Sequence, residues 1–200
     1  MNFSREQYQQ AVFLCNCVYG KCDSSPQPKS CINTKSGLRA NVYEFDSVDY
    51  IVFCGTNQLR DWITNFKMLL GLTPKQFKEA LDFINKEFRH KKTIVCSHSL
   101  GGAIAQYCVV HISRDNVLCL NFNPAGVRHM LKPKKYKLYE DNIWNIVTYR
   151  DILYRLTAVL PFNWMKNIGK TIIIQDDDSW NGIKSHSAWE VFYDAGGKLK

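Results

Sequence analysis

The chain has 200 residues, 46% hydrophobic and 13% aromatic, which is enough for one sizeable core and excludes a disordered polymer. Its 26 basic and 18 acidic residues leave a formal charge of +8, the densest runs being Arg89-His90-Lys91-Lys92 and Lys132–Lys137. Split in this way, the charge is expected to form solvated surface or to meet an anionic membrane peripherally, and no nucleic-acid partner is expected.

In chain order, residues 4–18 open with a Ser-x-Glu cluster and read as a helix, followed by a Cys-, Pro- and Ser-rich loop from Lys21 to Lys35. Arg39–Phe45 and Tyr50–Cys54 read as strands joined by a turn at Asp46-Ser47. Asp61 is placed to cap a helix over Trp62–Leu70, and Pro74 to open another reaching Phe88, in which Phe77, Leu81, Ile84 and Phe88 recur at helical spacing. Thr93–Cys96, Val117–Phe122, Asn142–Tyr149 and Thr171–Gln175 read as strands. Ser99–Ile112 reads as a helix of small residues, and His186–Tyr193 as a closing helix. Continuous apolar strands alternating with helices imply an α/β fold with a mostly parallel central sheet covered by helices on both faces. No linker divides the chain, so a single domain over residues 1–200 is expected.

Four of the eight cysteines (Cys54, Cys96, Cys108, Cys119) lie inside apolar runs, where a thiol acts as a small hydrophobe. Cys15, Cys17, Cys22 and Cys31 cluster without the usual zinc-ligand spacing, and no metal site is expected. The chain shows no export signal and no run of ~18 uncharged apolar residues that could span a bilayer. With the cysteines taken as reduced, an intracellular, soluble protein is expected, with or without peripheral membrane contact. Oligomeric state is not legible.

The chemistry concentrates in Thr93–Ala103, where a strand, a tight turn and a small-residue helix put Ser99 at the apex. Such a turn demands small residues two before and two after the serine, here Ser97 and Gly101. The helix that follows leaves its first N–H groups unpaired, so the backbone of Leu100 is placed to donate to an oxyanion. A nucleophilic serine needs a base, and the base an orienting acid, in the chain order Ser, acid, His. His111 and His129 lie too near the elbow helix and the turn after the next strand, whereas His186 occupies a late loop where that base belongs. Asp151 directly follows a strand and is the preferred acid. The run Asp176–Asp178 also follows a strand and is its rival.

These segments resemble the class 3 lipase family. The resemblance rests on Ile51–Asn57 with Asp61-Trp62 and Asn65-Phe66, then Ser97–Gly102, Asn121–Gly126, Asp151–Leu156 and Ser185–Trp189, in the family's order. Cys54 stands where that family often has arginine, and Ser97 where it has glycine. The resemblance implies an α/β-hydrolase fold and hydrolysis of carboxylic esters, with lipids as the expected substrate class. It further implies Ser99, Asp151 and His186 as catalytic triad, Thr56 and Leu100 as oxyanion hole, and no cofactor. A phospholipase or acyltransferase using the same residues, and a catalytically silent binding protein of the same fold, remain alternatives. Trp62–Leu72 and Leu160–Ile168 are candidates to line an acyl groove or act as a lid, against ordinary core packing.

Overall fold

The computed structural model describes residues 3–20, 22, 25–55, 74–88, 91–159 and 166–195. Its centre is a seven-stranded sheet in the order β1-β2-β3-β4-β5-β6-β7. The strands are β1 (Ser30–Asn33), β2 (Arg39–Phe45), β3 (Val48–Phe53), β4 (Thr93–His98), β5 (Val117–Phe122), β6 (Ile143–Thr148) and β7 (Lys170–Ile174). The first three pair antiparallel, and β3 to β7 are parallel. The helices are α1 (Arg5–Cys17), α2 (Pro74–Glu87), α3 (Leu100–Ile112), α4 (Pro133–Tyr136), α5 (Ile152–Val159), α6 (Gly182–His186) and α7 (Trp189–Ala195).

Because β3 to β7 lie side by side in chain order, every right-handed crossover between them turns onto the same face. Phe77, Ala80 and Ile84 of α2, Ile104, Cys108 and Val109 of α3, Leu131 and Tyr136 before β6, and Leu153 of α5 accordingly share one core cluster. The opposite face would be bare if only the crossovers covered it. It is covered instead by the elements that precede and follow the sheet, with Tyr8, Val12 and Leu14 of α1 and Trp189 and Phe192 of α7 in a second cluster. β3, β4 and β5 are buried along their whole length, as strands sandwiched between two such layers must be.

Local sequence explains the main boundaries. Ser4 caps α1 reciprocally with Gln7, each side chain bonded to the other's backbone N–H. Asp46 and Ser47 both have positive φ, at 49° and 62°, which gives the β2–β3 hairpin the turn that matches strand twist.

Three sequence expectations change. Ser30–Asn33, read as loop, pairs with β2 as an edge strand too short to show a pattern of its own. Ile152–Val159, for which the sequence spacing gives no helix, forms α5. The closing helix is two helices: α6 ends at His186, and α7 begins only at Trp189. Asn181 starts α6 by accepting from Ile183 N–H and Lys184 N–H. The carbonyl of His186 accepts instead from the side chains of His98 and Asn123, which draws the chain out of the helix there.

The cysteines also need a correction. Cys17 is disulfide-bonded to Cys22, so the expectation of reduced thiols fails at that pair, and one of the two grounds for an intracellular location goes with it. Among the described residues no helix is long and apolar enough to cross a membrane.

Phe192 is fully buried where α7 closes the second face, so Phe192→Ala is expected to cost about 3–5 kcal/mol of unfolding free energy in urea denaturation. Ile173→Ala, on the half-exposed edge strand, should change it by about 0.5 kcal/mol or less. Equal effects would contradict the closure of that face by α7.

Candidate active site

The parallel strands end along one edge of the sheet, and the chain leaves that edge through Gly55, Ser99, Asn123 and Asp151 in turn, after β3, β4, β5 and β6. Loops at the carboxyl ends of parallel strands are where ligands bind in this class of sheet.

Ser99 has φ 59° and ψ −128°, a conformation L-residues rarely adopt. It stands at the N-cap of α3, yet its hydroxyl caps no backbone N–H. The side chain is turned away from the helix, and the turn is held by its backbone: Gly102 N–H and Ala125 N–H both donate to the Ser99 carbonyl. The neighbours leave no room for side chains. A Cβ on Gly101 would strike the Phe53 carbonyl, and one on Gly102 would strike the Pro124 ring. A Cβ on Gly55 would lie 2.9 Å from the His98 carbonyl oxygen and 3.0 Å from Ser99 Cβ, so the end of β3 presses directly on the serine.

The Ser99 hydroxyl donates to His186 Nε2 at 2.9 Å, and His186 Nδ1–H donates to Asp151 Oδ2. All three residues are buried. The second carboxylate oxygen, Oδ1, accepts from Tyr154 N–H at 2.7 Å at the start of α5, which sets the direction of the carboxylate. The structure therefore brings Ser99, Asp151 and His186 together, and leaves the rival acids engaged elsewhere. Asp176 accepts from the Ser185 hydroxyl, Asp177 from Ser179, and Asp178 pairs with Arg150. His111 stacks on Tyr107 at 4.0 Å and contacts its carbonyl, and His129 lies on the single turn Arg128–Met130. Leu100 is the first residue of α3, so its N–H belongs to the unpaired N-terminal end of that helix. Thr56 lies outside the described residues, as do Trp62–Leu72 and residues 160–165, which include Phe162 and Trp164. Ile168, from the second proposed groove segment, is core. Burial pushes the Cys54 thiol up to about 11, so at neutral pH it is an uncharged neighbour of the site.

Several further residues hold this arrangement through bonds that sequence spacing does not reveal. Asn123 accepts from Thr148 N–H and Thr148 Oγ1–H, while its Nδ2 donates to the carbonyls of Ser185 and His186. One side chain thus ties the end of β6, three residues before Asp151, to the segment that carries His186. Ser97, Asn121 and Asn145 stand in register on adjacent strands and form a buried row. Ser97 Oγ–H donates to Asn121 Oδ1 (2.6 Å), Asn121 Nδ2 to Asn145 Oδ1 (3.0 Å), and Asn145 Nδ2 to the Ile168 carbonyl (2.8 Å). This row explains how a serine replaces the small glycine of the elbow: its hydroxyl has a buried acceptor, Asn121 Oδ1, which it shares with the more distant Cys119 thiol. On α3, the buried Gln106 bonds the carbonyls of Gly102 and Ala125 and the backbone N–H of Ile168, holding the elbow helix to its surroundings.

With this geometry in hand, comparison with known proteins is specific. Residues 23–147 match the model of the phospholipase-like family described as Tle-like phospholipase domain. The chain belongs to this family. Over 102 residues it is also 29% identical to the extracellular phospholipase A1 of Serratia liquefaciens, a match covering 50% of this chain and 31% of that protein. The chain therefore spans about a third of that relative. The fold is that of fungal lipases. The Rhizomucor miehei lipase–propeptide complex aligns with a TM-score of 0.57 at 18% identity, covering 92% of this chain and 75% of that one. Lipase II from Rhizopus niveus aligns at 0.55 with 16% identity, covering 88% and 82%. The α/β-hydrolase fold expected from the class 3 lipase resemblance is thus the fold of this Tle-like phospholipase domain.

The basic run before β6 can also be located. Lys132, Lys134 and Lys137 are exposed, next to Leu138 at 74% exposure, but their segment leads toward the amino end of β6, away from the edge where Ser99 lies. Among the described residues no group of three or more His, Cys, Asp or Glu side chains is placed to hold a metal ion.

Ser97→Ala should leave Asn121 Oδ1 without its hydroxyl donor in a buried site and cost about 1–3 kcal/mol of unfolding free energy, measured by urea denaturation. Unchanged stability would mean that the polar row does not support the elbow.

Proposed function

We propose that this chain hydrolyses carboxylic esters of lipids, phospholipids foremost, by acyl transfer to Ser99. The observation that carries this reading is the unbroken line of hydrogen bonds from Ser99 Oγ through His186 to Asp151, set on a positive-φ turn at the mouth of a parallel sheet.

In this reading His186 Nε2 takes the hydroxyl proton as Oγ attacks the ester carbonyl. Asp151 holds the imidazole with Nδ1 protonated and stabilises the imidazolium that forms. The tetrahedral oxyanion develops at the N-terminal end of α3, where Leu100 N–H donates to it, with Thr56 as its second donor. The imidazolium then gives its proton to the leaving alkoxide, the alcohol departs, and an acyl-enzyme remains. Water activated by His186 adds to the acyl carbonyl, and collapse of the second intermediate frees the acid and Ser99. Every proton is accounted for by one histidine, and no step calls for a cofactor.

Phospholipids are favoured over other esters by membership of the Tle-like phospholipase family and by the phospholipase A1 named among its relatives. The buried serine, its hydroxyl bonded to His186 and not to its own helix, also speaks against a silent binding protein, because a hydroxyl without a function would ordinarily cap that helix.

Ser99→Ala and Asp151→Asn are each expected to lower kcat on a soluble ester by on the order of 10^4. Asp177→Asn should retain near wild-type turnover, since Asp177 bonds only within its own turn to Ser179. A Ser99→Ala protein that kept substantial turnover, or a larger loss at Asp177 than at Asp151, would overturn the assignment.

A further inference from the structure

Tyr19 follows α1 and sits inside the five-residue separation closed by the Cys17–Cys22 disulfide. The helix belongs to the face of the sheet opposite the crossovers, and the sequence around Tyr19 carries no hydrolase motif. Its hydroxyl nevertheless reaches the site. Gly55 N–H donates to Tyr19 Oη at 2.7 Å, and Tyr19 Oη lies 3.3 Å from His98 Nδ1. His98 Nε2 is 2.8 Å from the carbonyl oxygen of His186. A carbonyl can only accept, so Nε2 carries the ring proton. In a neutral imidazole Nδ1 is then an acceptor for the Tyr19 O–H, which also lies 3.5 Å from the His98 carbonyl oxygen. Every donor in the chain has its acceptor: Gly55 N–H to Tyr19, Tyr19 O–H to His98, His98 N–H to His186.

Each end of this chain matters to the acyl transfer. Gly55 follows β3 and lies against Ser99, so its placement sets how closely the backbone after β3 approaches the serine. The His186 carbonyl fixes the backbone from which the imidazole reaches both Ser99 and Asp151. His98 is further held by ring packing, 4.8 Å from Trp189 and 4.7 Å from His186 between centroids, and Tyr19 stands edge-on to it at 5.5 Å. Burial raises the Tyr19 phenol well above its ordinary range, so the hydroxyl keeps its proton at any pH at which the site works.

We propose that Tyr19 is a positioning residue for acyl transfer at Ser99, joining the backbone after β3 to the base through His98, and that the Cys17–Cys22 disulfide holds it in place. The proposal rests on the hydrolase reading above. Tyr19 Oη bonds Gly55 and His98 rather than Ser99 Oγ or the His186 ring, so its loss should act on a geometry needed mainly in the transition state.

The test uses the whole protein, oxidised and purified, with a short-chain p-nitrophenyl ester, rates being normalised to sites titrated by a fluorophosphonate. Tyr19→Phe keeps the ring and removes only the hydroxyl. It should lower kcat per titrated site by about 10- to 100-fold. KM should stay within about twofold, because uniform binding is untouched. Cys22→Ser should lower kcat in the wild-type background and have no further effect in Tyr19→Phe, since both changes act through one hydroxyl. A residue that merely stabilised the fold would reduce the fraction of titratable sites and leave kcat per site unchanged, and that result overturns the proposal. Additive losses in the double variant overturn the role given to the disulfide. A wild-type protein that neither turns over the ester nor reacts with the fluorophosphonate overturns the hydrolase reading itself, and the positioning role with it.

Discussion

The backbone of Ser99, held at φ 59° and ψ −128°, is the constraint around which the other parts of the site are arranged. A residue in that conformation persists only where its surroundings over-determine it, at a cost of order 1–3 kcal/mol. Here the Ser99 carbonyl accepts two backbone N–H groups, from Gly102 and Ala125, and Ser99 N–H donates to the Phe122 carbonyl across the strand. Glycines at 55, 101 and 102 let β3 and the chain after β5 close on the turn without collision. The effect of this conformation is to lift the hydroxyl off its own helix and toward His186.

The second constraint is topological. Strands laid down in chain order put every crossover on one face, leaving the other to α1 and α7. Those terminal elements therefore do more than bury apolar surface. The α7 side brings Trp189 onto His98, and the end of α1 brings Tyr19 to Gly55. Tyr8 joins the two helices directly, donating its hydroxyl to the Phe192 carbonyl at 3.0 Å. The site is thus supported from the crossover face through Gln106 and the Ser97–Asn121–Asn145 row, and from the other face by aromatic rings.

Much of this was legible in the sequence, for identifiable reasons. That Ser99, Asp151 and His186 meet was legible because a tight strand-to-helix turn imposes small residues at fixed offsets, and an acid and a histidine follow it after later strands. The central strands were recoverable because burial on both faces writes continuous apolar runs. Asn123, Tyr19 and the amide row were not, because their meaning depends on which strands are neighbours and in what register. Asn121 and Asn145 are 24 residues apart, yet bonded. Tyr19 is 36 residues from Gly55 and 79 from His98. The disulfide misled in the opposite sense: a cysteine cluster without metal spacing gave no reason to single out Cys17 and Cys22 as a pair.

Ester hydrolysis as proposed requires Ser99 to be an activated nucleophile, made so by His186 and Asp151. The most direct measurement of that activation is covalent labelling of the folded protein by a fluorophosphonate, with the modified residue identified by mass spectrometry of the digest. The account predicts stoichiometric phosphonylation of Ser99 in the wild type, and strongly slowed labelling when His186 is replaced by alanine. A wild-type protein that stays unlabelled, or one labelled at the same rate without His186, would contradict it.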